Sequence, residues 1–246
     1  MLQLFHTIIY QPIYNALIYI YNVVPGHDLG LAIIILTVIV RLILYPVAKK
    51  QIESQKRLQA IQPEIKKIQE KYRSDKEKQS RMLMQLYKER KANPAAGCLP
   101  LIIQLIFFIA LYQAFIAGIN FSQECKDLYS FVSCPEGIRV MFLGFLDITK
   151  PNIVLAVIAA AAQYIQTKMM TPVMPASSGK SDISSIMGQQ MLYLGPILTL
   201  FIGIRFPAGL AIYWIVNTVF AIVQQYLTAG AKNVPSGDKQ SVANLK

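Results

Sequence analysis

The chain has 246 residues, of which 54% are hydrophobic and 15% charged, with a net charge of +11. Apolar content that high, gathered in blocks, excludes an ordinary soluble domain and points to an all-α integral membrane protein. The basic excess falls mostly between Lys49 and Lys91, directly after an apolar run, so it reads as a topology and lipid-contact signal and no specific nucleic-acid binding is expected.

Residues 1–25 are apolar except for a few side chains, chiefly Gln3, His6, Gln11, Asn15 and Asn22, that fall mostly within one half of a helical wheel. A one-sided polar face predicts an amphipathic helix lying in the outer membrane interface, although the length also permits a span. No cleavable signal pattern and no early cysteine for lipidation are present, so neither a removable signal peptide nor a lipid anchor is expected.

The run 29–48, LGLAIIILTVIVRLILYPVA, is long and apolar enough for a first span and carries Arg41 inside it. At 1.5 Å per residue from Ala48, Arg41 lies about 10 Å within the membrane boundary. A cation at that depth either snorkels to the headgroups or faces a wet cavity in a helix bundle. Tyr45 and Pro46 separate it from Lys49 and Lys50, which already mark the interface, and this favours the cavity.

Residues 50–91 are polar and predict a helical hairpin outside the membrane. Pro63 suits the start of a new helix, and Leu58, Ile61, Ile65, Ile68 and Tyr72 form an amphipathic stripe. Ser74-Asp75-Lys76-Glu77 has the shape of a capping box opening a second helix, which carries Met82, Leu83, Leu86 and Tyr87 and ends near Asn93-Pro94. Such a hairpin is either a solvated face or a docking platform for a partner.

Four further spans are expected at 97–118, 152–170, 187–204 and 208–227, with an outer loop over 119–150 and a disordered basic tail over 229–246. The alanine run 159–162 reads as close helix packing. Lysine and arginine concentrate on the side of the hairpin, the third-to-fourth loop and the tail. The positive-inside rule then gives five spans within a core of 26–228, N-terminus outside and C-terminus cytoplasmic. Three cysteines are too few for a disulfide framework. Cys125 and Cys134, in the outer loop, are a candidate disulfide; either they pair in an oxidising compartment or they stay free thiols.

No Asp, Glu or His lies in any of these spans, and neither a P-loop nor an H-E-x-x-H motif occurs. An enzyme is therefore not expected, nor a metal site, and nothing calls for a cofactor. The spans hold uncharged polarity around one cation instead. Thr37 and Tyr45 lie one turn either side of Arg41, and Gln104, Tyr112, Gln163, Gln166, Asn217 and Thr218 add to the set. Each alone can be interhelical glue; together with a lone arginine they suggest a hydrated cavity that lowers the cost of moving polar peptide through lipid.

The ordered set of Arg41 with Tyr45-Pro46, the Gln62-Pro63 step, the stretch Asn93-Pro94-Ala95-Ala96-Gly97-Cys98-Leu99-Pro100 leading to Gln104, and Phe206-Pro207-Ala208-Gly209-Leu210 followed by Tyr213-Trp214 and Asn217 resembles the YidC/Oxa/Alb family of membrane protein insertases, in its bacterial YidC type. The similarity covers roughly Tyr10 to Gln225 and corresponds to the family's core, without a large periplasmic domain. It implies five transmembrane helices around a hydrophilic groove, with Arg41 and Thr37 in the groove and Tyr213 and Trp214 as aromatic substrate contacts. It further implies a multi-pass protein of the bacterial plasma (inner) membrane. Its partners would be nascent hydrophobic segments and the lipid bilayer, with a ribosome, targeting receptor or Sec translocon reached through the 50–91 hairpin. The rival readings are a small-solute channel or transporter, for which inverted repeats and broken helices in matching positions were not found, and an assembly factor for membrane complexes.

Overall fold

The computed structural model describes residues 2–93, 99–119, 125–170 and 183–230. Two of the sequence-motif positions, Pro94 and Gly97, lie outside these residues, as do Cys98 and the tail from 231 onward. The chain divides into two compact units, one of residues 1–45 and 101–222, the other of residues 46–100 and 223–246.

The first unit begins with α1 (Leu2–Phe5), a π-helical turn (His6–Tyr10) and α2 (Gln11–Val23). Pro12 sits in the first turn of α2, where its missing N–H does least harm. The chain turns through Gly26 and His27, both at positive φ, before α3 (Leu29–Ile43). Asp28 starts α3 by accepting the Leu31 N–H on its side chain at 3.1 Å.

The apolar run expected as one helix over 29–48 is divided. α3 stops at Ile43, Leu44 is its C-cap, and α4 (Tyr45–Ala60) begins at the next residue. Pro46 is the physical reason, since it cannot donate a hydrogen bond to the carbonyl four residues back and its ring crowds that carbonyl. In the first turn of α4 the same proline costs nothing.

Helices occupy the other stretches expected as spans: α7 (Leu99–Ile119), α8 (Ile153–Met170), α9 (Ile183–Gly203) and α10 (Ala208–Gly230). By length and composition α8 and the Ala208–Thr228 stretch of α10 can cross a membrane, and α3 with α4 passes as a broken pair. Shorter apolar stretches are described in α7 (Ile102–Ile116) and α9 (Leu192–Gly203). α9 packs along α8, which buries Ala156, Ala159 and Ala162, so the alanine run serves close helix approach.

The core of this unit joins Tyr14, Leu17 and Ile18 of α2 to Leu29, Ile33 and Leu36 of α3, Ala110 and Phe115 of α7, and Leu210 and Tyr213 of α10. Gly209, in the first turn of α10, is where that helix meets α7. A Cβ there would stand 2.6 Å from the ring of the buried Phe115. Gly209→Ala is expected to cost about 1–3 kcal/mol by overpacking, read as a lower thermal midpoint in detergent. An unchanged midpoint would mean that the Phe115 ring has room to yield.

The segment 125–150 lies against α2, α3 and α10. Cys125 and Cys134 are joined by a disulfide, with Cα atoms 5.9 Å apart. A two-stranded antiparallel hairpin follows, β1 (Met141–Phe142) and β2 (Leu146–Asp147), turning through Leu143 and Gly144 at positive φ. Ile148 and Lys150 then accept the backbone N–H groups of Gly209 and Ala208, so the segment also closes the start of α10.

The polar stripe of the N-terminal helix meets this segment. Asn15, 2% exposed, donates to Asp127 O at 2.9 Å and accepts the Tyr129 N–H at 2.6 Å. Gln11 also reaches Asp127 O, Asn22 reaches Ser133 O, and His6 lies 3.3 Å from the Asp127 carboxylate. Asn15, Gln11 and Asn22 thereby satisfy backbone groups that a short irregular segment cannot pair within itself.

The second unit contains α4, α5 (Gln62–Lys71) and α6 (Lys76–Glu89). Pro63 lies in the first turn of α5, as its sequence position suggested. Asp75, not Ser74, caps α6 by accepting the Lys78 N–H at 2.9 Å, so the cap falls one residue later than expected, and Lys78 at the third helical position has no side-chain acceptor to complete a capping box. α5 and α6 run antiparallel around Ile61, Ile65, Leu86 and Ala92, with Leu58, Ile68, Leu83 and Tyr87 at the margin. Arg90 clamps Glu64 through both carboxylate oxygens at 3.1 and 3.2 Å, and Gln79 donates to Gln69 O. Lys91, at positive φ, ends the hairpin just before Asn93.

Candidate functional site

Arg41 and Asn217 form the centre of the candidate site. Arg41 closes α3, and its Nε–H donates to Asn217 Oδ1 of α10 at 2.6 Å. Thr37 lies one turn earlier on the face of Arg41, buried, with its hydroxyl donating to Ile33 O of its own helix. It lines the site and its proton is already committed. Tyr213, one turn before Asn217, is buried and close enough to Arg41 to feel its charge.

Two further polar atoms near Arg41 on α10 are unspent. Asn217 Nδ2 and Thr218 Oγ1 are buried and have no hydrogen-bond partner among the described residues. Thr218 is 0% exposed. A buried donor left without a partner costs about 1–3 kcal/mol. Groups in that condition fit a site that takes up water or a passing polar chain.

A second cluster occupies a neighbouring face of α10. Trp214 Nε1 donates to Gln163 Oε1 of α8 at 3.0 Å, and its indole meets the edge of Phe108 with centroids 5.6 Å apart. Phe206 stands edge-on to both Phe108 and Tyr112. Phe108, Ala159, Thr199, Phe206, Leu210 and Trp214 are among the residues bounding a small apolar cavity. Tyr112 joins this aromatic cluster through Phe206. Gln104, Gln166 and Tyr45 are half-buried.

Sequence reasoning missed the groups that hold the outer segment in place. Asp28, 8% exposed, caps α3 with one oxygen and accepts the Leu143 N–H with the other at 2.7 Å. Tyr21 accepts the Arg139 N–H at 2.8 Å and donates to Gly137 O. An acidic residue directly before an apolar run is an N-cap signal, so half of the role of Asp28 was readable; its second bond is long-range and was not. Beyond the hairpin, the Thr149 hydroxyl at 2.6 Å, then the Lys150 ammonium, hold the Asp147 carboxyl down to about 2. That contribution is complete at neutral pH and is lost only as pH falls through about 2. Among the described residues no group of three His, Cys, Asp or Glu side chains could hold a metal ion.

A bundle of apolar helices in which a half-buried arginine pairs with an amide defines a polytopic membrane protein with an internal polar site. The family described as 60Kd inner membrane protein matches residues 19–234. Among similar proteins, the membrane protein insertase YidC of Syntrophobacter fumaroxidans is 33% identical over 89% of this chain and 37% of its own length. That of Geobacter sulfurreducens is 34% identical over 88% and 36%. That of Fusobacterium nucleatum is 33% identical over 81% of this chain and 85% of its own. The chain belongs to the YidC membrane protein insertase family, a family of bacterial membrane proteins that are not enzymes. It spans little more than a third of the length of several of these relatives.

Proposed function

We propose that this chain is itself a membrane protein insertase, with five spans (α3, α7, α8, α9 and α10), the N-terminal helix on the outer face and the C-terminus in the cytoplasm. The observation that carries the reading is the Arg41–Asn217 pair beside the unpartnered Asn217 amide and Thr218 hydroxyl, in a bundle whose spans hold no acidic side chain. An arginine in hydrocarbon costs a few kcal/mol unless water reaches it. A hydrated groove meets that cost and presents a cation to the acidic or polar flank of an incoming segment.

In this mechanism the α5–α6 hairpin receives a nascent hydrophobic segment, from a ribosome, targeting receptor or Sec translocon. Arg41 draws the polar flank into the groove, with Thr37, Asn217 and Thr218 solvating it through water. Tyr213 and Trp214 contact the apolar part, which then slides into lipid. Its own transfer from water supplies the driving force, so no nucleotide is required. The outer segment 125–150 closes the far end.

The test is photocrosslinking from positions 37, 41 and 214 to a stalled single-span nascent chain. Crosslinks at these positions in the membrane-engaged complex are expected. Their absence at all three, with the protein correctly inserted, would remove the groove from the substrate path.

A further inference from the structure

The turn between β1 and β2 carries side chains that the core does not use. Leu143 is 56% exposed and Phe145 73% exposed, flanking Gly144 at the hairpin tip. Leu143 also holds a φ of 52°, a left-handed conformation that glycine or asparagine adopts at lower cost. A leucine kept in a strained backbone position with its side chain turned outward gains nothing from water.

The depth of this tip follows from its contacts. The Leu143 N–H is held by Asp28, the residue that starts α3. Phe142 lies against Gly30, in the first turn of the same helix, so closely that a Cβ on Gly30 would overlap its ring. The hairpin is thus level with the first turn of an apolar helix rather than above it. A few residues after β2, α8 opens with Ile153 and Val154, whose outward side chains are exposed and apolar. The tip and the lipid-facing side of α8 belong to one chain segment at one end of the bundle.

We infer that the β1–β2 hairpin is a membrane wedge, with Leu143 and Phe145 embedded at the boundary between headgroups and acyl chains of the outer leaflet. The occupant of this surface is lipid. Apolar side chains at that boundary gain from burial while the turn's polar backbone stays near water. The wedge fixes the height of the first turns of α3 and α10, which the same segment binds, against the bilayer. This rests on α3 and α8 crossing the membrane.

The test uses protein reconstituted in bilayers of phosphatidylcholine and phosphatidylglycerol, with Trp214, the single native tryptophan, replaced by phenylalanine. Single tryptophans are placed by Phe145→Trp, Leu143→Trp, Glu136→Trp and Ile158→Trp. At 145 and 143 the emission is expected to be blue-shifted and to lose about half its intensity to lipids brominated near the headgroup end of the acyl chain. Position 136, a charged exposed site, is expected to be quenched by iodide instead. Iodide access at 145 and 143 equal to that at 136 would overturn the wedge. Ile158→Trp, on the exposed face of α8, reports the span separately. Quenching there by deeply brominated lipid keeps the span while the hairpin result stands or falls alone.

Discussion

Arg41→Ala is expected to reduce insertion of substrates with acidic translocated flanks roughly tenfold to a hundredfold, the equivalent of one hydrogen bond to a charged group at about 1.5–3 kcal/mol. Substrates with uncharged flanks should lose much less, since the polar groups of α10 remain. Arg41→Lys keeps the charge but not the Nε–H that meets Asn217, so it should fall between the two. Folding should be nearly unaffected, because removing a partly buried cation also removes its desolvation cost. The comparison to make is insertion of a matched pair of substrates, acidic and neutral, into proteoliposomes, beside a thermal midpoint for each variant. Equal loss for both substrates, or none for either, would deny the cation its role in choosing a flank.

Asp28→Asn is expected to release the outer segment although it preserves charge-free size and a good helix cap. The two carboxylate oxygens serve different donors, Leu31 N–H and Leu143 N–H. An amide has one accepting oxygen, so one of those donors must face an NH2 group. Asp28→Ala loses both bonds. The cost is about 2–4 kcal/mol, from the cap and a charge-assisted hydrogen bond together. Hydrogen exchange at Leu143 and across 139–150 should accelerate by at least tenfold in both variants, with α5 and α6 unchanged. Native protection at Leu143 in Asp28→Asn would show that the hairpin does not depend on the second carboxylate oxygen of Asp28.

Much of the helical organisation was legible because membrane spans are written in long apolar runs. The expected limits at 152–170 and 208–227 differ from α8 and α10 by no more than a few residues. The amphipathic stripe of the hairpin likewise became the buried line of Ile61 and Ile65, since period alone decides which face of a helix is apolar. Arg41 was visible as a charge in the wrong solvent, and Asn217 as a polar residue in the last span. Their pairing was not visible, because they are 176 residues apart and only the packing of α3 on α10 brings them together.

The same limit explains the polar stripe of the N-terminal helix. A helical wheel reports that one face is polar, and it is silent on whether water, headgroups or another stretch of chain will satisfy it. Asn15, Gln11 and Asn22 bond the backbone of residues 127–133, which local sequence gives no means to foresee. What the sequence alone determined about this protein is which stretches are helical and apolar and where a cation interrupts them, since these depend on local composition and spacing. What the tertiary structure decided is which polar groups find partners, which are left for a ligand or water, and how the outer segment is held, because hydrogen bonds between distant residues exist only once the helices have packed.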